Sequence, residues 1–443
     1  MKFTCIKTGK KLIWNQGVQV KTITQSPSVR PTQIPSNTPN PIPSKNTEVT
    51  NPSPSPVKTI AYSIPSVPSL NIDSCKVKEV STRRGFTGSG FPKIDTKVKS
   101  SGTLRWAIVP IDWVDLPGNA NFMIKVREQM ELASEWIDLA SEGQAKIEWQ
   151  IHNSWIRLPG SSKDYEMPLS SSPARQPAAE KFWKTAMNES DKFINYSGVQ
   201  GVHFILPDGQ QIMGEAVKGY PWEDAVKNYI TNEGSTIDFF TVPGVFYDRA
   251  DLGRAWWTHW VKEYTRSIGV AAIGAQRVES PYQTYTIHGN TDGERELNGW
   301  QRFLIDWLPE KKIYCQTIGN IKEVELTLVP LNEKSTDGIK MAIFTISETR
   351  ALILESRRVT KFACTTPTKR NGVLAYVYDS TLGNGQDFFI PVVPANRSLE
   401  TSSCANPLSA DLMLREGDSA NYESISITVT SHANLDKVKV SRS

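Results

Sequence analysis

Proline is concentrated in one part of this chain, and this limits where a folded core can form. Eleven of the 28 prolines lie between residues 21 and 70, among many Ser, Thr and Asn. Such a segment buries too little apolar surface to repay the entropy of ordering, and it favours extended backbone. Residues 18–78 are therefore predicted to be a disordered linker. Composition alone fits a spacer that holds an exported domain away from a cell wall and an ordinary disordered tail equally well.

The apolar pattern after this linker predicts an α/β domain over residues 79–311. A short apolar run at 104–112 predicts a buried strand, and the residues that follow are apolar at three- and four-residue spacing up to Gly143. This spacing indicates an amphipathic helix with a glycine stop. A strand at 145–158, a helix at 178–194 and a strand at 201–209 continue the alternation, which is typical of an α/β layer.

The last part of the chain has a different period. Apolar residues alternate in six segments after residue 312, and turn-rich segments separate them. This pattern predicts an all-β region over residues 312–443, most simply a sandwich. At the other end, residues 1–17 alternate around a Lys-Thr-Gly-Lys turn and predict one small hairpin. The predicted fold class is α+β, with an α/β domain followed by a β-sandwich.

Charge and hydropathy exclude some classes of function. The formal charge of +4 over 443 residues is close to neutrality, which argues against a nucleic-acid-binding protein. No stretch approaches the roughly 20 apolar residues that a transmembrane helix needs. The five cysteines are too dispersed for a zinc finger. They are expected to be buried thiols or to form one or two long-range disulfides.

The segment most informative about function is residues 247–274. Trp257, Val261, Tyr264 and Ile268 recur at helical spacing, and Gly269 can end the helix. Taken alone, this pattern indicates a core helix rich in tryptophan.

The order of several segments resembles a known family. The runs LRWAIVPIDWVDLPG, WIRLPGSSKDYEM, FINYSGVQGVHFILP, LNGWQRFLIDWL, ILESRR and LREGDSANYESISITV resemble the secreted immune-inhibitor-A-type zinc metallopeptidases, in an actinobacterial form. The resemblance covers roughly residues 100–440. It implies a metzincin-like domain in which a helix carries HExxHxxGxxD, whose two His and late Asp bind zinc and whose Glu is the general base.

The zinc motif is degenerate in this chain. Aligning the family's turn glycine with Gly269 places Lys262 and Arg266 at the two histidine positions, Glu263 at the catalytic glutamate and Ala272 at the late ligand. Arginine does not lose its proton in proteins, and a lysine ammonium has no lone pair. The resemblance therefore implies a pseudoenzyme without a metal cofactor. Glu263 is expected to pair with Arg266 or Lys262.

A displaced zinc site is the alternative. His259 and Glu263 are four residues apart and share a helix face, and His288 or His203 can supply a further ligand. The register of His259 does not match the family motif, so packing among Trp256, Trp257 and Trp260 is the favoured interpretation.

The expected function follows from this resemblance. The chain is predicted to be an extracellular or cell-surface peptidase homologue, catalytically inactive, that binds a protein, peptide or glycan. The alternatives are an active zinc endopeptidase with displaced ligands and a structural envelope protein. Residues 1–17 resemble the second half of a two-cysteine module of exported proteins, which implies that a signal peptide precedes Met1. Export allows a disulfide between Cys364 and Cys404. Cys5 is expected to be unpaired, because its partner in the two-cysteine module would lie before Met1.

Overall fold

The structure is a computed structural model. It describes residues 5–8, 11–14, 59–80, 88–96, 98–119, 121–166, 174–207, 229–237, 239–241, 256–271, 285–289, 295–334, 337–363, 371–382, 387–397 and 411–443. The helices in these ranges are α1 (Phe122–Ala140), α2 (Arg175–Ser190), α3 (Trp256–Ser267) and α4 (Gly299–Leu304). The strands are β1 (Cys5–Thr8), β2 (Lys11–Trp14), β3 (Gly102–Asp112), β4 (Ala145–Ile151), β5 (Ile156–Arg157), β6 (Val199–Ile205), β7 (Phe239–Thr241), β8 (Ile313–Thr317), β9 (Glu323–Leu328), β10 (Met341–Ser347), β11 (Arg350–Arg357), β12 (Gly372–Asp379), β13 (Phe389–Pro391), β14 (Met413–Leu414), β15 (Ser419–Tyr422), β16 (Ile425–His432) and β17 (Asp436–Arg442).

The chain divides into two compact units, Met1–Pro56 and Val57–Ser443. In the first unit, β1 and β2 pair antiparallel, with Cys5 opposite Trp14. The hairpin predicted for this segment is therefore confirmed. All the elements discussed below belong to the second unit.

A parallel sheet forms the centre of the first half of the second unit. Its strand order is β4-β3-β6-β7, and β5 pairs with the end of β3. The strand predicted over 145–158 is thus split into β4 and β5. Side chains of β3 alternate between the two faces of the sheet, as they must in a strand. Leu104, Trp106 and Ile108 pack with α1 and α3, whereas Ala107, Val109 and Ile111 pack with α2.

The C-terminal half contains two further sheets. The larger C-terminal sheet has the order β13-β12-β11-β10-β8, with β14 paired to β12, and the smaller has the order β15-β16-β17-β9. Apolar side chains from both sheets, such as Leu352, Val377, Ile427 and Val440, share one core. This is the face-to-face packing of a β-sandwich, as predicted.

The opposite face of the larger C-terminal sheet packs on the first half of this unit. Ile343, Ile353 and Tyr376 belong to the same core cluster as Trp106 and Trp257. Helices and sheets together give a mixed α+β fold, which confirms the predicted class. The boundary at residues 311 and 312 stays a prediction, although one hydrophobic core extends across it.

Part of the predicted linker is folded onto the sandwich. Residues 59–80, which we call the strap, contain a 3-10 helix at Ile72–Cys75, and Cys75 forms a disulfide with Cys315 of β8. Cys75 and Val77 are buried. The structure differs here from the disordered segment predicted to end at residue 78, because contacts with the sandwich order a composition that gives no core of its own. Residues 18–58, Cys364 and Cys404 lie outside the described residues.

Candidate functional site

Helix α3 is the element on which the sequence analysis places the site. Trp257, Val261, Tyr264 and Ile268 are all buried, so the predicted apolar face is the face that packs. Tyr264 meets Trp106 of β3 edge-on at a centroid distance of 5.7 Å. The helix ends before Gly269, whose φ of 105° lies in the left-handed region that glycine tolerates.

Glu263 is buried beside two cations. Its side chain is only 2% exposed, and Oε2 lies 3.7 Å from Nη1 of Arg266. Burial raises the pKa of the Glu263 carboxyl, and the charges of Arg266 and Lys262 oppose that rise. No hydrogen bond reaches Oε2 from any described residue. Glu263 and Arg266 are adjacent, as expected, but they form a long ion pair, and Oε2 of Glu263 has no donor among the described residues.

His288 lies against the same side of α3 as Lys262 and Arg266. Its Nε2 is 2.7 Å from Oγ1 of Thr265, which is also within 2.7 Å of the Val261 carbonyl oxygen. The direction of the Thr265–His288 bond depends on the histidine tautomer, because the Thr265 hydroxyl has one proton for either the carbonyl or Nε2. Nδ1 of His288 is buried with no hydrogen-bond partner in the described part of the chain. Burial and the two cations lower the pKa of His288 well below its usual range.

His203 lies on the other side of α3, in a cage of three tryptophans. Its ring centroid is 4.8 Å from Trp106, 5.6 Å from Trp260 and 6.0 Å from Trp149. The side chain is fully buried, and neither ring nitrogen has a hydrogen-bond partner among the described residues. Burial lowers the pKa of His203 well below its usual range, and nearby His259 lowers it further. His203 is therefore a neutral ring held by stacking.

The donor set does not fit a zinc ion. Lys262 and Arg266 cannot ligate, His288 uses Nε2 for Thr265, and His203 is enclosed by indole rings. In the described ranges, no three His, Cys, Asp or Glu side chains are grouped as metal ligands would be. His259 is buried and lies near enough to His203 to lower the pKa of that histidine. The pairing of His259 with His288 in a displaced site stays a prediction. Ala272 lies outside the described residues.

Two features of this site were not predicted from the sequence. The tryptophan cage of His203 combines residues of β3, β4 and α3, and the Thr265–His288 contact joins α3 to a loop. The sequence gives a partial signal for the contact. Thr265 and Arg266 lie three and four residues after Lys262, so both are neighbours of Lys262 on the helix surface. The cage gives no such signal, since Trp106, Trp149 and Trp260 are far apart in the chain.

Comparisons with known proteins add little to this geometry. No family model and no curated protein matches the chain. One solved structure, catalytically inactive OgpA from Akkermansia muciniphila in complex with an O-glycopeptide substrate, is 9% identical, with a TM-score of 0.25. The match covers 81% of this chain and 100% of that chain. A score this low does not assign a shared fold, so the resemblance to immune-inhibitor-A-type peptidases stays a prediction. In the described ranges, no helix is both long and apolar enough to cross a membrane.

Proposed function

We propose that the chain is a catalytically inactive, peptidase-like protein, exported or attached to the cell surface, that binds a protein, peptide or glycan beside α3. The observation that carries this proposal is the pair of cations, Lys262 and Arg266, that flank buried Glu263 on this helix. In the family that the sequence resembles, these positions hold the metal whose bound water the glutamate deprotonates. With an ammonium and a guanidinium in their place, Glu263 has no metal-bound water to activate.

The disulfide supports the proposed location. Structural disulfides persist in oxidising environments and are rare in the reducing cytosol. The Cys75–Cys315 bond joins residues 240 positions apart, and both residues are fully buried. A bond at such a place fits a protein that folds after export.

Metal content and peptidase activity test the inactive state. We expect the full chain to purify without stoichiometric zinc by elemental analysis and to cleave a general protein substrate no faster than Glu263→Gln. The triple variant Lys262→His, Arg266→His, Ala272→Asp should gain zinc, because it restores two imidazoles one turn apart and a carboxylate. One zinc per wild-type chain, lost in His259→Ala, would establish the displaced site instead.

Ligand binding tests the remaining part of the proposal. The full chain is applied to arrays of immobilised peptides and glycans, together with the double variant Lys262→Glu, Arg266→Glu. We expect the variant to bind its ligands at least tenfold more weakly, since both substitutions change the charge of the same helix face. Lys322→Glu is the matched control, because Lys322 is an exposed lysine in the loop before β9. Equal loss in the control, or no peptide or glycan bound by folded wild type, would contradict the proposed binding role.

A further inference from the structure

The strap lies along the edges of both C-terminal sheets. Among the described strands, β8 is at one edge of the larger sheet and β9 is at one edge of the smaller sheet. An edge strand presents backbone donors and acceptors that need partners or protection. The strap supplies both edges with partners.

At β9, the strap uses two serines. The Ser66 amide donates to the Glu325 carbonyl at 3.2 Å, and the Glu325 amide donates to Oγ of Ser66 at 2.9 Å. Oγ of Ser63 lies 2.6 Å from Oγ1 of Thr327. These contacts occupy the edge of the smaller sheet.

At β8, the contacts follow the same pattern and end in a covalent bond. The Leu70 amide donates to the Cys315 carbonyl at 2.8 Å, and the Cys315 amide donates to Oγ of Ser69 at 3.0 Å. A few residues further on, Cys75 is bonded to Cys315. One residue of β8 therefore accepts a backbone hydrogen bond, donates a second one and carries the disulfide.

Between its buried ends, at Ile60 and Val77, the strap is weakly attached by noncovalent contacts. Tyr62, Ile64 and Leu70 leave 42%, 86% and 36% of their surfaces exposed, so little apolar area is buried between Ile60 and Cys75. Hydrogen bonds at a solvated edge contribute only about 0.5–1.5 kcal/mol each. Segments with few buried apolar contacts open at low free energy. The disulfide is consequently the main restraint on this segment.

We propose that the Cys75–Cys315 bond is a redox latch that keeps the strap on the two sheet edges. Because Cys75 and Cys315 are fully buried, a dithiol reductant reaches the bond only when the strap opens locally, and it then breaks the bond in two exchange steps. One thiolate attacks a cystine sulfur to form a mixed disulfide, and the second thiolate displaces the protein sulfur. The products are two cysteine thiols and one oxidised, cyclic reductant, so two electrons are transferred. While the bond is intact, it keeps the strap at a high effective concentration beside β8 and β9, so a strap that has opened returns to them. Loss of the bond removes this effect.

The latch also determines the shape of a cleft. A cavity of about 350 Å³ lies between strap residues 74–78 and side chains of Thr317, Thr345 and Ser347. The disulfide joins the two walls of this cleft, and the strap wall is also held by buried Val77 and by the Lys78 amide, which donates to the Glu348 carbonyl at 3.0 Å. The latch does not depend on the proposed peptidase-like function.

Hydrogen exchange of the full chain, with and without dithiothreitol, tests the latch. We expect reduction to accelerate exchange of the Ser66 and Leu70 amides at least tenfold, while the Leu352 amide in β11 keeps its protection because the sandwich stays folded. Cys315→Ser and Cys75→Ser should show the fast exchange without reductant. Cys5→Ser is the matched control and should exchange like wild type.

Thiol counting under denaturing conditions accompanies each measurement and makes the result decisive. The latch would be overturned if the Ser66 and Leu70 amides stayed protected after counting had shown that Cys75 and Cys315 were reduced. It would also be overturned if both cysteines were free thiols in the folded protein before any reductant was added. If a cysteine variant does not fold, reduction of the folded wild type gives the answer alone.

Discussion

Two buried glutamates in this molecule, Glu355 and Glu263, differ in their hydrogen-bond partners. At the contact between α4 and the larger C-terminal sheet, Glu355 accepts from Nε of Arg357 at 2.6 Å, the Gly299 amide at 2.6 Å and the Tyr376 hydroxyl at 2.9 Å. On α3, the equally buried Glu263 has one cation at 3.7 Å, and no hydrogen bond reaches its Oε2 from the described residues. Both oxygens of Glu355 thus accept hydrogen bonds, whereas Oε2 of Glu263 accepts none from the described residues.

This difference in hydrogen bonding indicates a structural role for Glu355 and a candidate functional role for Glu263. A buried carboxylate is stabilised when each of its oxygens has a partner, and Glu355 meets this condition; a second buried pair is formed by Arg302 and Glu296 at 2.7 Å. Buried groups that lack partners and have shifted pKa values occur preferentially at functional sites. Around α3, Glu263, His203 and His288 are buried, have shifted pKa values and each have at least one polar atom without a partner among the described residues.

The largest expected effect comes from breaking the satisfied network. Glu355→Ala leaves the guanidinium of Arg357 buried without its anion, so we expect the free energy of unfolding to fall by about 3–5 kcal/mol. Glu323→Ala is the matched control, because Glu323 pairs with Lys439 at 2.7 Å on the exposed surface; it should cost at most about 1 kcal/mol. Urea denaturation measures both, and equal effects would refute the contrast.

A smaller effect is expected from protonating the histidines around α3. Burial lowers the pKa of His203 and of His288 in the folded state, so the unfolded chain binds protons first as the pH falls below about 6.5. Their contribution to stability is present above that pH and is lost as the pH falls, by up to roughly 1.4 kcal/mol per histidine per pH unit. His203→Phe keeps an aromatic ring in the cage and should reduce the dependence of unfolding free energy on pH by one proton between pH 6.5 and 4.5. An unchanged slope would show that His203 is not buried as a neutral ring.

The smallest expected effect has the opposite sign to that of Glu355→Ala. Because burial raises the pKa of Glu263, ionisation of this group costs stability as the pH rises through its folded-state pKa. Glu263→Gln removes the charge and keeps the shape, so at pH 8 we expect the free energy of unfolding to be unchanged or to rise by about 1 kcal/mol. Thermal unfolding at pH 8 measures it. A clear loss of stability would mean that Glu263 is a satisfied structural ion like Glu355.

Periodicity in the sequence predicts most of the fold. The long amphipathic stretches give α1 and α3, and the alternating segments give β9, β10, β11 and β12 within a few residues. Strand β8 was not predicted, because its residues Ile313–Gln316 are buried on both faces and show no alternation. The strap was missed for a different reason. Its Ser- and Pro-rich composition forms no core of its own, and it is ordered by hydrogen bonds, a disulfide and a few buried side chains, such as Ile60 and Val77, that pack on segments far away in the chain.

The candidate site was predictable only in part. The helix and the adjacent Glu263 and Arg266 follow from local spacing, since residues three apart share a helix face. The stacking of His203 does not, because its partners come from two strands and a helix that only the tertiary fold brings together. The pairing of Cys75 with Cys315 likewise cannot be read from five dispersed cysteines, which allow several connectivities.

The disulfide of the strap has a consequence for the order of events during synthesis. The ribosome completes Cys75 240 residues before its partner, which at 5–20 residues per second is a delay of roughly 10–50 s. Until β8 and β9 have been translated, the strap has no edge on which to dock. An early segment of the polypeptide is thus among the last to reach its final place, and its cysteine is exposed to other thiols during that interval.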